Sequence, residues 1–349
     1  MSEMKEFIMD STEKILRKLS TKETRESFEE GQWAGLLWNT CEEAGLTLLG
    51  IPEDQGGVGG DFEDVMGVLY LIGRYAAPIP LLEVLSANSM LASLGMEFGD
   101  KKRVLHFIDE REDERIEHVP FARYVEEVVL VKQEGKTASI AFLDLSKVNI
   151  QHQANLAAEP RDSVNISTAL NWISLSISYE EMKERILLET AAGKSAQMTG
   201  AIEAVLSLSV FYSKERKQFG RSLHKFQAIQ HHLTSMAGEY AAAYSTLQVV
   251  ATTYEKPYYS SYVAMAKAEV SKQANIVAKA AHQLHAGIGM TYEHELHHFT
   301  RRLWAWRDEA GNETYWTNYL SELYMDEDYD IWEQITHVKG DRIHAGFTI

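Results

Sequence analysis

The chain has 349 residues, 45% of them apolar, which excludes a disordered chain and allows two or three domains, each with a core. A formal net charge of −17 excludes the broad basic field that nucleic-acid or anionic-membrane binding needs, so any anion site must be local. The single cysteine, Cys41, can form no internal disulfide, and thiolate zinc and iron–sulfur sites are excluded with it.

The N-terminus, "MSEMKEFIMDSTEKILRKLS", mixes charges with Phe7, Ile8, Ile15 and Leu16 at helical spacing and lacks a signal-peptide core. No apolar run is long enough to span a bilayer, so a soluble cytoplasmic protein is expected. Residues 1–106 read as a helical domain. Within it, "GIPEDQGGVGG" is a five-glycine loop ahead of a helix. Such loops can cradle phosphate, but Glu53 and Asp54 stand where a lysine would be wanted, which favours a surface connection. From about 107 to 179, "EEVVLVKQEGKTASIAFLDL" and "DSVNISTALNWISLSIS" show short β-branched runs split by glycine and polar residues, the pattern of a small β-domain. From 180 to 325 helices return, with separate candidates at 186–216, 224–254, 261–287 and 313–325. A tail, 326–349, follows the acidic "MDEDYD".

Chemistry concentrates in "ERKQFGRSLHKFQAIQHH". Arg216 and Phe219 are three apart and would share a helix face. Gly220 would end that helix or let a ligand approach the backbone. A guanidinium grips phosphate bidentately, an aromatic covers a flat base, and the amide of Gln227 can read a ring edge. A plain helix–helix turn explains the same residues equally well. In "AHQLHAGIGMTYEHELHHFTRRLWAWRDEAGNETYW", Gly287 and Gly289 interrupt a second helix.

Arg216, Phe219, Gly220 and Gln227, followed by Gln283, Gly287, Gly289 and Glu293, resemble the two signatures of the acyl-CoA dehydrogenase family. The resemblance covers nearly the whole chain and is strongest in its C-terminal half. It implies a mainly α, α+β fold: an N-terminal helical domain, a middle β-domain and a C-terminal four-helix bundle. It implies FAD bound between subunits, with Arg216, Phe219, Gln227, Gln283 and Gly287 at the pyrophosphate and adenine end. The implied reaction is α,β-dehydrogenation of an acyl-CoA thioester. A carboxylate removes the α-proton, the β-hydride goes to the flavin, and electrons pass to an electron-transfer flavoprotein.

Two departures stand out. The position of the family's usual base falls on Ala310, whose methyl accepts no proton. Substitutes are Glu309, about 100° away on a continuing helix, and Glu189 or Glu184 on the first bundle helix. The middle domain has no Thr-Glu-Pro-Gly stretch around 107–127, and "WISLSIS" does not match the family's flavin-side Trp strand. Both losses fit the non-base chain of a bacterial heteromeric acyl-CoA dehydrogenase, such as those acting on steroid side chains. The alternatives are a homomeric enzyme with a relocated base and a non-catalytic binding or assembly protein.

The histidines His282, His285, His294, His297 and His298 are expected to pack rather than bind metal, since nothing marks a third ligand. Pro257 in "YEKPYYSSY" should stop a helix.

Overall fold

The computed structural model describes residues 3–99, 101–108, 114–166 and 170–325. The tail from 326 and the positions 109–113, within the segment searched for a flavin-side stretch, lie outside the described residues. The chain forms two units. One holds residues up to Val68 together with Ala77–Thr190, the other Leu69–Ala76 with residues from Ala191 onward.

The first unit opens with α1 (Glu3–Leu19), α2 (Lys22–Glu29) and α3 (Gly35–Glu43). Thr21 caps α2 by accepting the Thr24 N–H at 3.3 Å, which satisfies one of the amides a helix start leaves free. The apolar stripes of these helices bury Leu16, Phe28, Leu37, Trp38 and Cys41. The five-glycine loop lies mostly exposed ahead of α4 (Phe62–Arg74). In α5 (Leu81–Ser93) apolar residues occupy nearly every side, and ten of its thirteen residues are buried, as expected of a helix enclosed on all faces.

Two sheets complete this unit. The larger has the order β1 (Arg103–Phe107), β3 (Glu127–Glu134), β4 (Thr137–Asp144), β7 (Ile173–Ser178). The smaller has the order β2 (Arg115–Pro120), β6 (Arg161–Asn165), β5 (Ile150–Gln151). β1 runs parallel to β3 with Val104 opposite Val128, and β3 turns into β4 with Glu134 opposite Thr137. The run Val128–Val131 is fully buried, so β3 reads as continuous rather than alternating. Met90 and Leu91 of α5 pack with Val129, Val131 and Ile140 and with Tyr179, Met182 and Ile186. Those last three begin α6 (Tyr179–Glu215). In "WISLSIS", Trp172 lies beneath the Lys132 ammonium at 4.0 Å.

The second unit takes α6 onward from Ala191 and adds α7 (Gln227–Thr252), α8 (Tyr259–His285), α9 (Leu296–Asp308) and α10 (Glu313–Met325). Its core joins Met198, Ile202 and Val205 of α6, Met236 and Ala243 of α7, Val270, Ala274 and Val277 of α8, and Phe299, Leu303 and Trp306 of α9. Pro257 lies in the turn between α7 and α8. The sequence gives α9 no separate element, and its thirteen residues are an addition. Leu69–Ala76 crosses α6 at backbone contact. A Cβ on Gly73 would lie 1.8 Å from the Gln197 carbonyl oxygen, and one on Gly200 would lie 2.0 Å from that of Tyr70. Beside this crossing Tyr70 donates to Glu203 at 2.6 Å and meets the Tyr240 hydroxyl at 2.9 Å, while Arg74 pairs with Glu203 at 2.7 Å. No helix among the described residues is long and apolar enough to cross a membrane.

Candidate functional site

The first signature is not helical throughout. α6 ends at Glu215, and Lys217–Gln218 (β8) pairs with Arg221–Ser222 (β9) in a small hairpin. Its two turn residues, Phe219 and Gly220, have φ of +50° and +78°, the positive values that a type I′ hairpin turn requires. Arg216 and Phe219 therefore do not share a helix face, which corrects the reading from spacing. Arg216 instead sits at the root, where its N–H donates to the Tyr212 carbonyl at 2.9 Å and its carbonyl accepts the Leu223 N–H at 2.9 Å. Phe219 stands at the tip, 91% exposed. The Arg221 guanidinium covers the Phe226 ring at 4.1 Å. Gln227 is the first residue of α7 and is exposed.

The second signature lies at the same end of this helical unit. Gln283 is exposed in the last turn of α8, and Gly287 follows it, exposed, with open space where a Cβ would be. Tyr212, which anchors Arg216, stacks on His285 at 4.6 Å between ring centroids. The end of α6, the start of α7 and the end of α8 thus converge. Ala286 joins them with φ +51° and ψ −136°, a conformation that disfavours any side chain. Gly289 is held by close approach, since a Cβ there would meet that of His285 at 2.7 Å.

His282 and His285 take part in this packing. His285 donates its Nδ1–H to the Ala281 carbonyl at 2.8 Å, and burial pushes its pKa down to about 4. His282 lies 3.0 Å from Thr300 Oγ1 and stacks on Trp304 at 5.6 Å, and burial lowers its pKa too. Buried Arg302 donates to the His298 carbonyl at 2.9 Å.

The stretch around Ala310, where the sequence reading expects the family's base position, is not a continuing helix. α9 ends at Asp308, and Glu309 is already extended (φ −76°, ψ 142°), so Glu309 is not a helical neighbour of position 310 as spacing suggested. Ala310 and Gly311 follow with φ of +53° and +85°. Glu309 pairs with the buried Lys194 at 3.0 Å. The Ala310 carbonyl accepts the Trp316 indole N–H at 2.9 Å. Arg307 grips Glu313 through Nε and Nη2, and the Asn312 side chain caps α10 at the Tyr315 N–H. Beneath the connection Lys267, fully buried on α8, donates to the carbonyls of Arg307 and Gly311, both at 2.8 Å, and to Ser271 Oγ at 3.2 Å. The other candidates lie on α6: Glu189 pairs with Arg185 at 3.2 Å, and Glu184 is one turn earlier.

Lys267 is absent from the sequence-derived candidates, although a signal exists. Val263, Lys267, Val270, Ala274, Val277 and Ala281 recur at intervals of three and four, the spacing of one buried helix face. A lysine on that stripe has to be buried.

An N-terminal helical part, two small sheets and a C-terminal helical unit with a hairpin–helix surface rich in arginine and aromatic residues make up the described fold. Comparison with known proteins identifies the family. Residues 2–107 match the acyl-CoA dehydrogenase N-terminal domain and residues 182–320 the acyl-CoA dehydrogenase C-terminal domain. The chain belongs to the acyl-CoA dehydrogenase family. It is 29% identical over 308 residues to acyl-CoA dehydrogenase IpdE2 of Mycolicibacterium smegmatis, covering 86% of this chain and 93% of that protein. Two solved structures share the fold: the Tcur3481–Tcur3483 steroid acyl-CoA dehydrogenase, G363A variant, and the ChsE4–ChsE5 complex of Mycobacterium tuberculosis. For the first the TM-score is 0.82 at 19% identity, covering 93% of this chain and 98% of that one. For the second it is 0.82 at 16%, covering 94% and 99%.

Proposed function

We propose that this chain is the non-base subunit of a heteromeric, flavin-dependent acyl-CoA dehydrogenase that catalyses α,β-dehydrogenation of an acyl-CoA thioester. The observation that carries the reading is Ala310. The usual proton-accepting position holds a methyl in an otherwise intact, firmly anchored connection, and the adjacent carboxylate, Glu309, is committed to Lys194. A general base must reach the proton it removes, and Glu309 is held elsewhere. Glu189 likewise pairs with Arg185.

FAD fits the surface at the converging helix ends. Exposed Arg216, Lys217 and Arg221 offer positive charge to a pyrophosphate, Phe219 offers a free aromatic face, and the open backbone at Gly287 allows close approach. Bound FAD would supply the hydride acceptor. In this reading Arg216 binds phosphate bidentately, Phe219 and Gln227 contact the adenylate end, and Gln283 and Gly287 shape the opposing wall. Phe211, Phe219, Met290 and Tyr292 are 66–91% exposed, and apolar side chains left in water in this number mark an interaction surface. It would receive a second acyl-CoA dehydrogenase chain carrying the base. An electron-transfer flavoprotein would reoxidise the assembly.

The test is to purify the full chain alone and with a partner subunit that carries the base. The expected result is turnover only in the pair, with Glu309→Gln, Glu189→Gln and Glu184→Gln each changing kcat less than about tenfold, against the roughly 100-fold or greater loss on removing a true base. Full turnover of an acyl-CoA by the chain alone would overturn the proposal.

A further inference from the structure

Among the described residues, Lys267 is a buried charge at the α9–α10 connection that ion pairing does not explain. Its side chain is fully buried, and lysine is almost never buried completely without an anionic partner. All three of its hydrogen bonds go to neutral oxygens: Ser271 Oγ and the carbonyls of Arg307 and Gly311. Among the described residues, no carboxylate lies within ion-pair distance of its ammonium.

The two carbonyls belong to residues four apart, on either side of Glu309 and Ala310. One ammonium therefore ties the last turn of α9 to the exit of the connection. Between the ties, Ala310 and Gly311 hold consecutive left-handed conformations. A non-glycine residue there costs about 1–2 kcal/mol, and such a conformation persists only where its surroundings over-determine it. The Trp316 N–H on the Ala310 carbonyl and the Arg307–Glu313 pair supply further anchors.

We infer that Lys267 is a positioning residue: its ammonium fixes the backbone of Glu309–Asn312 and so determines where the side chain at 310 points. A serine or a water would satisfy the carbonyls with less desolvation. Below about pH 7, where it is protonated, the buried amine adds a rigid, three-donor tie and a positive field under position 310. Burial, with Lys194 nearby, lowers the lysine's pKa to about 7, against the opposing influence of Glu309, Asp308 and Glu313. The inference rests on the proposed function only in taking residue 310 to face the acyl group.

Two measurements on the full chain test it, and neither needs flavin or substrate. The first is amide hydrogen exchange at residues 309–312, with α7 as internal control. Lys267→Gln should speed exchange at the connection at least tenfold while α7 stays protected. Trp316→Phe, which keeps the ring and loses the donor to Ala310, should do the same at Ala310–Asn312 and serves if the Lys267 variants fail to fold. The second introduces a carboxylate with Ala310→Glu and follows thermal stability against pH. A neighbouring ammonium favours the ionised form, so the midpoint of the acid limb should rise by about one pH unit when Lys267→Gln is added. Unchanged exchange in Lys267→Gln and Trp316→Phe, or an unchanged midpoint in the double variant, overturns the inference. Either failure leaves the base assignment untouched, because that assignment is tested by turnover.

Discussion

Replacing Ala286 by glycine should stabilise the protein. Ala286 has φ +51° and ψ −136°, a region that glycine enters freely and a Cβ makes costly. Residues held in such regions cost roughly 1–3 kcal/mol. Glycine relieves that strain and raises the entropy of the unfolded chain, which offsets about 0.4–1 kcal/mol. Ala286 is exposed, so its methyl contributes little packing. The net gain is about 0.5–2 kcal/mol, which for a unit of this size raises Tm by roughly 1–8 °C. Differential scanning fluorimetry and urea titration of both proteins in one buffer measure it. A Tm that stays level or falls, with an unchanged urea slope, would refute the claim that strain is stored at the end of α8.

Other consequences follow from the same geometry. Gly200→Ala would place a Cβ 2.0 Å from a main-chain oxygen that cannot rotate away; overpacking typically costs about 1–3 kcal/mol, and this site should lie at or beyond the top of that range, seen as a lower urea midpoint. Arg216→Ala removes a charged hydrogen-bond donor, a loss of about 1.5–3 kcal/mol, so FAD retention in the assembled enzyme should weaken roughly 10- to 150-fold by fluorescence titration, with Arg216→Lys restoring only part. Burial lowers the Lys267 pKa from 10.5 to about 7, so between those values the unfolded chain binds a proton that the native state lacks. Lys267 therefore makes stability rise with pH across that window, and Lys267→Met should lose that rise in urea midpoints measured from pH 7 to 10.

The long elements were legible because their apolar residues recur at helical spacing over many turns. The helices expected at 186–216, 224–254 and 261–287 are observed as Tyr179–Glu215, Gln227–Thr252 and Tyr259–His285. What spacing could not show was where the chain leaves helical geometry without proline. Phe219-Gly220 and Ala310-Gly311 both take positive φ, and in each pair the glycine was visible while the left-handed residue before it was not. For that reason Arg216 and Phe219 share no helix face, and Glu309 leaves the helix earlier than its spacing implies. Lys267 was hidden by its chemistry: a lysine among alanines suggests a solvated face, and only the three–four stripe around it says otherwise. The ion pairs of Glu309 and Glu189 depend on residues 115 and four positions away, and only the first was beyond local reading.

The hairpin tip has a consequence for handling the protein. Phe219 projects into water beside Arg216, Lys217 and Arg221, whose like charges hold two copies of the tip apart. That repulsion reaches only about 8 Å at physiological ionic strength and about 3 Å in molar salt, whereas contact between rings needs no charge. Without a complementary surface to cover it, the chain should self-associate more readily as salt rises, and screening of the −17 net charge acts in the same direction, which argues for a low-salt storage buffer.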